Sequence, residues 1–202
     1  MHFKTASIDS IILYFGDTIS EKLLDQVQDA YHKLRELNEI IEMTPSYNSL
    51  WIHYDLNQHN QQSIKKLILS KLSQNTSTLS SKANKTIEIP TQYNGIDLER
   101  VAQHNQLSIK EVINLHTQQS YRVYAIGFMV GFAYLAKLNP RIATPRHATP
   151  RSKVPKGAVA IADHQTAIYP QDSAGGWNII GETDFEDFTS FKVGDYVQFV
   201  ET

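Results

Sequence analysis

The sequence predicts an α+β protein in two parts, an N-terminal split βαβ domain over residues 1–90 and a C-terminal β-barrel domain over residues 91–202. Two observations carry this division. In the first ninety positions, strand-like runs alternate with apolar stripes at helical spacing. Beyond them the composition changes: seven of the nine glycines fall at Gly127 or later, and five of the seven prolines lie between Pro140 and Pro170. Short apolar runs punctuated by Gly and Pro are the pattern of a barrel or sandwich built from many short strands.

Ser7–Phe15 is an apolar, β-branched run that suits a buried strand. Thr18 and Glu21 stand at capping-box spacing, and Leu23, Val27, Ala30, Leu34, Leu37 and Ile41 follow in steps of three and four. A helix with one apolar face is expected there. Next come a short strand at Ile40–Met43, another at Ser49–Tyr54, and an amphipathic helix through Ile64, Leu67, Ile68 and Leu72. An alternating strand at Lys85–Ile89 completes the order β-α-β-β-α-β, which is the ferredoxin-like arrangement. The polar tract Ser73–Ser81 reads as a surface loop, and the boundary is expected just after Pro90.

In the second half, two short helices, Asp97–His104 and Ser108–His116, precede strands at Tyr121–Phe128, Ala158–Ala162, Ala167–Tyr169, Asn178–Ile180 and Tyr196–Val200. The helix pair has helix-turn-helix proportions. Its charges argue otherwise, because Arg100 and Lys110 face Asp97, Glu99 and Glu111. The whole chain carries 19 Lys+Arg against 21 Asp+Glu and a formal charge of -2, without the basic excess of a nucleic-acid binder. It contains no cysteine, which excludes disulfide frameworks, thiolate zinc sites and cysteine nucleophiles. No apolar stretch approaches the roughly 18 residues of a membrane span. The first residues lack a signal-peptide pattern, so the expected compartment is the cytoplasm.

The chemistry concentrates between Gly127 and Gly181. From Lys137 to Lys156 the basic residues Lys137, Arg141, Arg146, Arg151, Lys153 and Lys156 run with no Asp or Glu among them. Pro145-Arg146 repeats as Pro150-Arg151, and the prolines stiffen the segment into an extended loop. The two arginines have two readings. They are guanidinium forks set for an anionic small molecule or acyl phosphate, or they tie the loop to the barrel through backbone carbonyls. Gly127-Phe128 and Gly131-Phe132, with Tyr134, either wall a pocket or form a tight turn on the core. Gly175-Gly176 before Trp177 is an anion-binding nest or a turn. His116 and His147 are the histidines nearest this region, each an acid–base candidate or a structural histidine. Phosphate-loop and nucleophile-elbow motifs are absent, and the scattered histidines predict no metal site.

The run from Gly127 to Thr183 resembles the signature of one bacterial family. The repeated Gly-Phe, the paired Pro-Arg units, Val154-Pro155, Gln165-Thr166, Ile168-Tyr169-Pro170 and Gly175-Gly176-Trp177 stand in its order and at its spacing. Pro45–Leu50, Glu88-Ile89-Pro90 and Val193–Phe199 extend the resemblance over nearly the whole chain. The family contains the B subunit of 5-oxoprolinase, the first subunit or domain of allophanate-hydrolase-like carboxyltransferases, and an inhibitor of a sporulation histidine kinase. Val130, Ala133 and Ala174 stand where its members usually carry proline.

The resemblance implies a ferredoxin-like domain followed by a cyclophilin-like β-barrel, a likeness of fold that does not extend to prolyl isomerase activity. It also implies a subunit that opens 5-oxo-L-proline to L-glutamate at the expense of ATP. Its partners would be the larger cyclophilin-like barrel protein of the complex (its C subunit) and the A subunit, with ATP and Mg held by the assembled complex. Arg146 and Arg151 would hold the substrate carboxylate or a phosphate. Gly127, Phe128, Gly131, Phe132, Tyr134, Gly175 and Gly176 would surround the substrate, while His116, Gln165 and Tyr169 polarise the lactam. Other members imply two alternatives: an allophanate hydrolase subunit linked to urea carboxylation, or a histidine-kinase inhibitor acting through an exposed apolar face.

Overall fold

The computed structural model describes residues 1–74 and 84–202, so most of the expected Ser73–Ser81 loop lies outside the described residues. The chain forms two compact units, Met1–Ala83 and Asn84–Thr202. No helix among the described residues is long and apolar enough to cross a membrane.

The first unit runs β1 (His2–Thr5), β2 (Ser10–Tyr14), α1 (Glu21–Leu34), β3 (Ile40–Ser46), β4 (Ser49–Tyr54) and α2 (Gln61–Ser73). Its strands form an antiparallel sheet in the order β1-β2-β4-β3. Val27, Ala30 and Leu34 of α1 and Ile64 and Ile68 of α2 pack with Ile11, Leu13, Leu50 and Ile52 into one core. Helix α1 is capped by Ser20, whose hydroxyl accepts from the Leu23 amide, and not by Thr18. Ile41 departs from the helical stripe expected of it and is an exposed strand residue. Asn60 and Ser63 cap α2 reciprocally.

The second unit runs β5 (Thr86–Thr91), α3 (Leu98–Asn105), α4 (Ile109–Thr117), β6 (Tyr121–Ile126), β7 (Ala133–Ala136), β8 (Arg151–Val154), β9 (Ala158–Ala162), β10 (Gln165–Ile168), β11 (Ser173–Gly175), β12 (Asn178–Glu182) and β13 (Tyr196–Glu201). Seven strands form one sheet, ordered β12-β9-β10-β7-β6-β13-β5, while β8 and β11 pair separately. Gln92, just past β5, exchanges two 2.9 Å backbone hydrogen bonds with Glu182 of β12. These draw the outer edges together, so the sheet is a nearly closed barrel. Helices α3 and α4 bury Val101, Val112 and Leu115 against Val123, Leu135, Ile161, Ile180 and Phe199. Alternation along β9 sends Val159 and Ile161 into that core and Ala158, Ala160 and Ala162 to the other side, with Phe132, Ala167, Tyr169 and Trp177.

The observed order of the first unit is β-β-α-β-β-α, which corrects the expected β-α-β-β-α-β. The edge beside β2, where a strand after α2 would pair, is occupied by β1. That strand offers little pattern, since Phe3 is the one apolar side chain in His-Phe-Lys-Thr. Strand β5, expected to close the first domain, instead runs parallel to β13, from Thr86 opposite Tyr196 to Thr91 opposite Glu201. The boundary therefore falls at Ala83/Asn84 and not after Pro90. Alternation along β5 identifies a strand, but its partner is at the far end of the chain, where local pattern carries no information.

Candidate functional site

The loop carrying both Pro-Arg units is stitched to the barrel on either side of Arg146. Before it, the Asn178 side-chain amide donates to the Pro145 carbonyl (3.1 Å) and the Ile161 carbonyl (3.1 Å). Arg100 reaches both the Asn178 side-chain oxygen and the Pro145 carbonyl. After it, the His147 amide donates to the Gly176 carbonyl at 2.8 Å. Asp97 holds the far end of the loop. Its Oδ1 accepts from Arg151 Nη2 (2.7 Å) and His147 Nε2 (3.1 Å), and its Oδ2 accepts from the Ile179 amide (2.8 Å). Although Asp97 stands at the N-cap of α3, it makes no capping bond. Its carboxylate is instead buried, at 5% side-chain exposure, among these three donors.

The two arginines occupy unlike surroundings. Arg151 is ion-paired, and its second terminal nitrogen, Nη1, is buried without a hydrogen-bond partner among the described residues. Arg146 is exposed and lies over the Trp177 ring, 5.7 Å from its centroid. Neighbouring it is a cluster of aromatic rings. Phe132 meets Tyr134, Tyr169 and Trp177 edge-on at 4.9, 5.3 and 5.8 Å, the geometry that ring quadrupoles favour. Burial raises the phenol pKa of both Tyr134 and Tyr169, and the positive charge of Arg146 opposes that shift in each. Phe128 packs on Phe132 at 5.5 Å and remains 65% exposed at φ 70, a left-handed conformation that costs energy for a bulky residue.

Two glycines are required by this architecture. Gly131 turns the chain at φ 82, with Phe188 Cβ 2.7 Å from the position of a Cβ. At Gly175 a Cβ would stand 2.3 Å from the Tyr169 hydroxyl oxygen. The Tyr169 side chain is buried and its ring packs edge-on against Phe132, so its hydroxyl is not the loose end of an exposed side chain. Gly175→Ala is therefore expected to cost about 1–3 kcal/mol in urea unfolding. Unchanged stability would show that the ring can yield. Gly127 meets nothing within 4 Å, and Gly176 has only ordinary contacts.

Arg146, Phe128, Phe132, Tyr134, Tyr169 and Gly175 thus come together, with Gly176 holding the loop. Gln165 is half-buried on β10, where its register opposite Ala162 puts it on the same side as Ala167. His116 does not join them. Its side chain is fully buried on the opposite side of the sheet, between Tyr93, Tyr121 and Phe199. Thr166 Oγ1 donates to the Ala160 carbonyl and accepts from His116 Nε2 (2.9 Å), while Tyr93 donates its hydroxyl to Nδ1 (2.6 Å). With both nitrogens satisfied and no exposed surface, His116 is a core histidine, and the lactam-polarising role implied for it is withdrawn. The residues that sequence reasoning missed are Asp97 and Asn178. Nothing local marks a carboxylate whose arginine partner lies 54 positions away. Among the described residues no group of three His, Cys, Asp or Glu side chains could hold a metal.

The fold and this loop define a two-unit α+β chain of the carboxyltransferase type, ending in a nearly closed barrel. The urea amidolyase of Kluyveromyces lactis shares the fold: the match has TM-score 0.80 at 17% identity and covers 99% of this chain and 15% of that one. The chain belongs to the family "carboxyltransferase domain, subdomain C and D", which matches residues 1–193. The B subunit of 5-oxoprolinase from Bacillus subtilis is 35% identical over 95% of this chain and 88% of its own length. The crystal structure of the protein TTHA0988 aligns with TM-score 0.82 at 32% identity over 96% of this chain. The chain spans only 40% of that protein's length.

Proposed function

We propose that the chain is the B subunit of an ATP-dependent 5-oxoprolinase that opens 5-oxo-L-proline to L-glutamate in the cytoplasm. The supporting observation is the similarity of nearly the whole chain to the Bacillus subtilis protein of that name. Its partners are a larger barrel protein and a third subunit. A lactam resists hydrolysis because amide resonance makes its carbonyl a poor electrophile, and ATP supplies the activation of that oxygen. The described residues of this chain offer no metal cluster and the sequence no phosphate loop. We assign the binding of ATP and Mg to the assembled complex. This chain's own part is to bind and orient: the Pro-Arg loop supplies a cation for the substrate's carboxylate, and the aromatic cluster flanks it.

The test is reconstitution of this chain with its larger barrel partner and third subunit, followed by assay of ATP hydrolysis and glutamate release. Turnover that depends on both 5-oxoproline and this chain is expected. Stimulation by allophanate in place of 5-oxoproline would transfer the chain to urea carboxylation. Inactivity, combined with isolation of the chain on a sensor histidine kinase, would make it a regulator.

A further inference from the structure

We infer that Arg146 is the residue that binds a small-molecule carboxylate, with Trp177 as its platform, and that its sequence twin Arg151 is a strut fixed to Asp97. The inference rests on the proposed function for the identity of the substrate, but not for its charge.

The contrast between the two arginines carries the argument. Arg151 already has a carboxylate 2.7 Å away, and that carboxylate is itself buried. A substrate anion that drew Arg151 away would take the ion-pair partner from the buried Asp97 carboxylate and leave it only His147 and the Ile179 amide, which is unfavourable. Arg146 has no ion-pair partner among the described residues, and its guanidinium carbon lies over the Trp177 ring, 5.7 Å from the centroid. A guanidinium placed over a ring and lacking a carboxylate partner keeps its N–H edge for a ligand, and that edge matches a carboxylate with two parallel hydrogen bonds. The hydrogen bonds to Pro145 and His147 fix the backbone on both sides of Arg146. Little backbone freedom is then lost when an anion binds. The surroundings select the class of anion: Phe128, 65% exposed on the edge of the aromatic cluster, offers apolar surface near this cation, which suits a monocarboxylate on a small ring better than a multiply charged phosphate.

The chain has two tryptophans, so Trp51→Phe leaves Trp177 as the sole indole reporter directly against the guanidinium. In that background, titration with 5-oxo-L-proline is expected to change Trp177 emission saturably. Its uncharged carboxamide and inorganic phosphate should not. Arg146→Ala should weaken the response at least tenfold, whereas Arg151→Lys, which keeps the pair with Asp97, should weaken it less than about threefold. A response that survives Arg146→Ala, or one lost in folded Arg151→Lys protein, would overturn the assignment. So would equal responses to phosphate or carboxamide, or no response to 5-oxoproline. The complex assay fails or succeeds separately: carboxylate binding without turnover would remove the 5-oxoprolinase reading and keep the Arg146 site.

Discussion

Asp97→Ala is expected to destabilise the protein by about 3–5 kcal/mol, a cost comparable with that of breaking other buried ion pairs. The carboxylate is 5% exposed and serves Arg151, His147 and the Ile179 amide at once. Its removal leaves three donors facing a cavity that offers no acceptor. Arg151 suffers most, because Nη1 already lacks a partner and Nη2 would lose its own. Asp97→Asn keeps the shape but replaces one acceptor oxygen with an N–H₂ group that meets either Ile179 N–H or a cation. Its expected cost is smaller, about 2 kcal/mol. In a chain of this size each kcal/mol moves the melting temperature by roughly 2–4 °C, so the alanine variant should melt on the order of 10 °C lower. Denaturant unfolding of the full chain measures the same quantity independently. A loss under 1 kcal/mol would mean that desolvating the pair cancels its attraction and that the loop is held by its backbone bonds alone.

What the sequence showed and what it hid follow one physical division. Where a pattern is local, the expectation held. The helix expected at Ser108–His116 forms as α4, capped reciprocally by Ser108 and Glu111, the strand expected at Ser49–Tyr54 forms as β4, and β9 and β12 fall close to the expected positions. Partnership across the chain stayed hidden. Strand β5 was identifiable as a strand, but its pairing with β13 depends on residues a hundred positions later. The arginines show the same limit. Two identical Pro-Arg units admitted an anion-binding reading and a strut reading, and sequence could not assign either. Arg151 proves to be tied by the carboxylate of Asp97, not by a backbone carbonyl, and Arg146 is tied by neither. His116 was a candidate as one of the two histidines nearest the Gly-, Pro- and Arg-rich region and through the family resemblance. The alternation of β10 decides otherwise, sending Thr166 and its histidine partner to the side away from Gln165 and Ala167.

That buried histidine gives the chain an expected acid sensitivity. Burial lowers the pKa of His116 to about 3, against about 6.5 in an unfolded chain. Its neighbours hold no compensating charge: burial raises the phenol pKa of both Tyr93 and Tyr121, so they are neutral. The hydrogen-bond order, from Tyr93 to His116 to Thr166 to the Ala160 carbonyl, leaves no site for a second ring proton. Between pH 6.5 and about 3 the unfolded state therefore binds a proton that the native state refuses. Stability falls as pH drops through that window, by up to about 1.4 kcal/mol per unit, and this group contributes no slope above it. From pH 7 to pH 5 the expected loss is about 2 kcal/mol. Urea unfolding at several pH values measures it, and His116→Gln supplies the control. The variant starts less stable, because it disturbs the packing against Phe199 and Tyr121, yet its stability should fall by about 2 kcal/mol less over the same pH range. Parallel pH profiles for the two proteins would show that His116 accepts a proton within the fold, and that a water or a rearranged Tyr93 receives it.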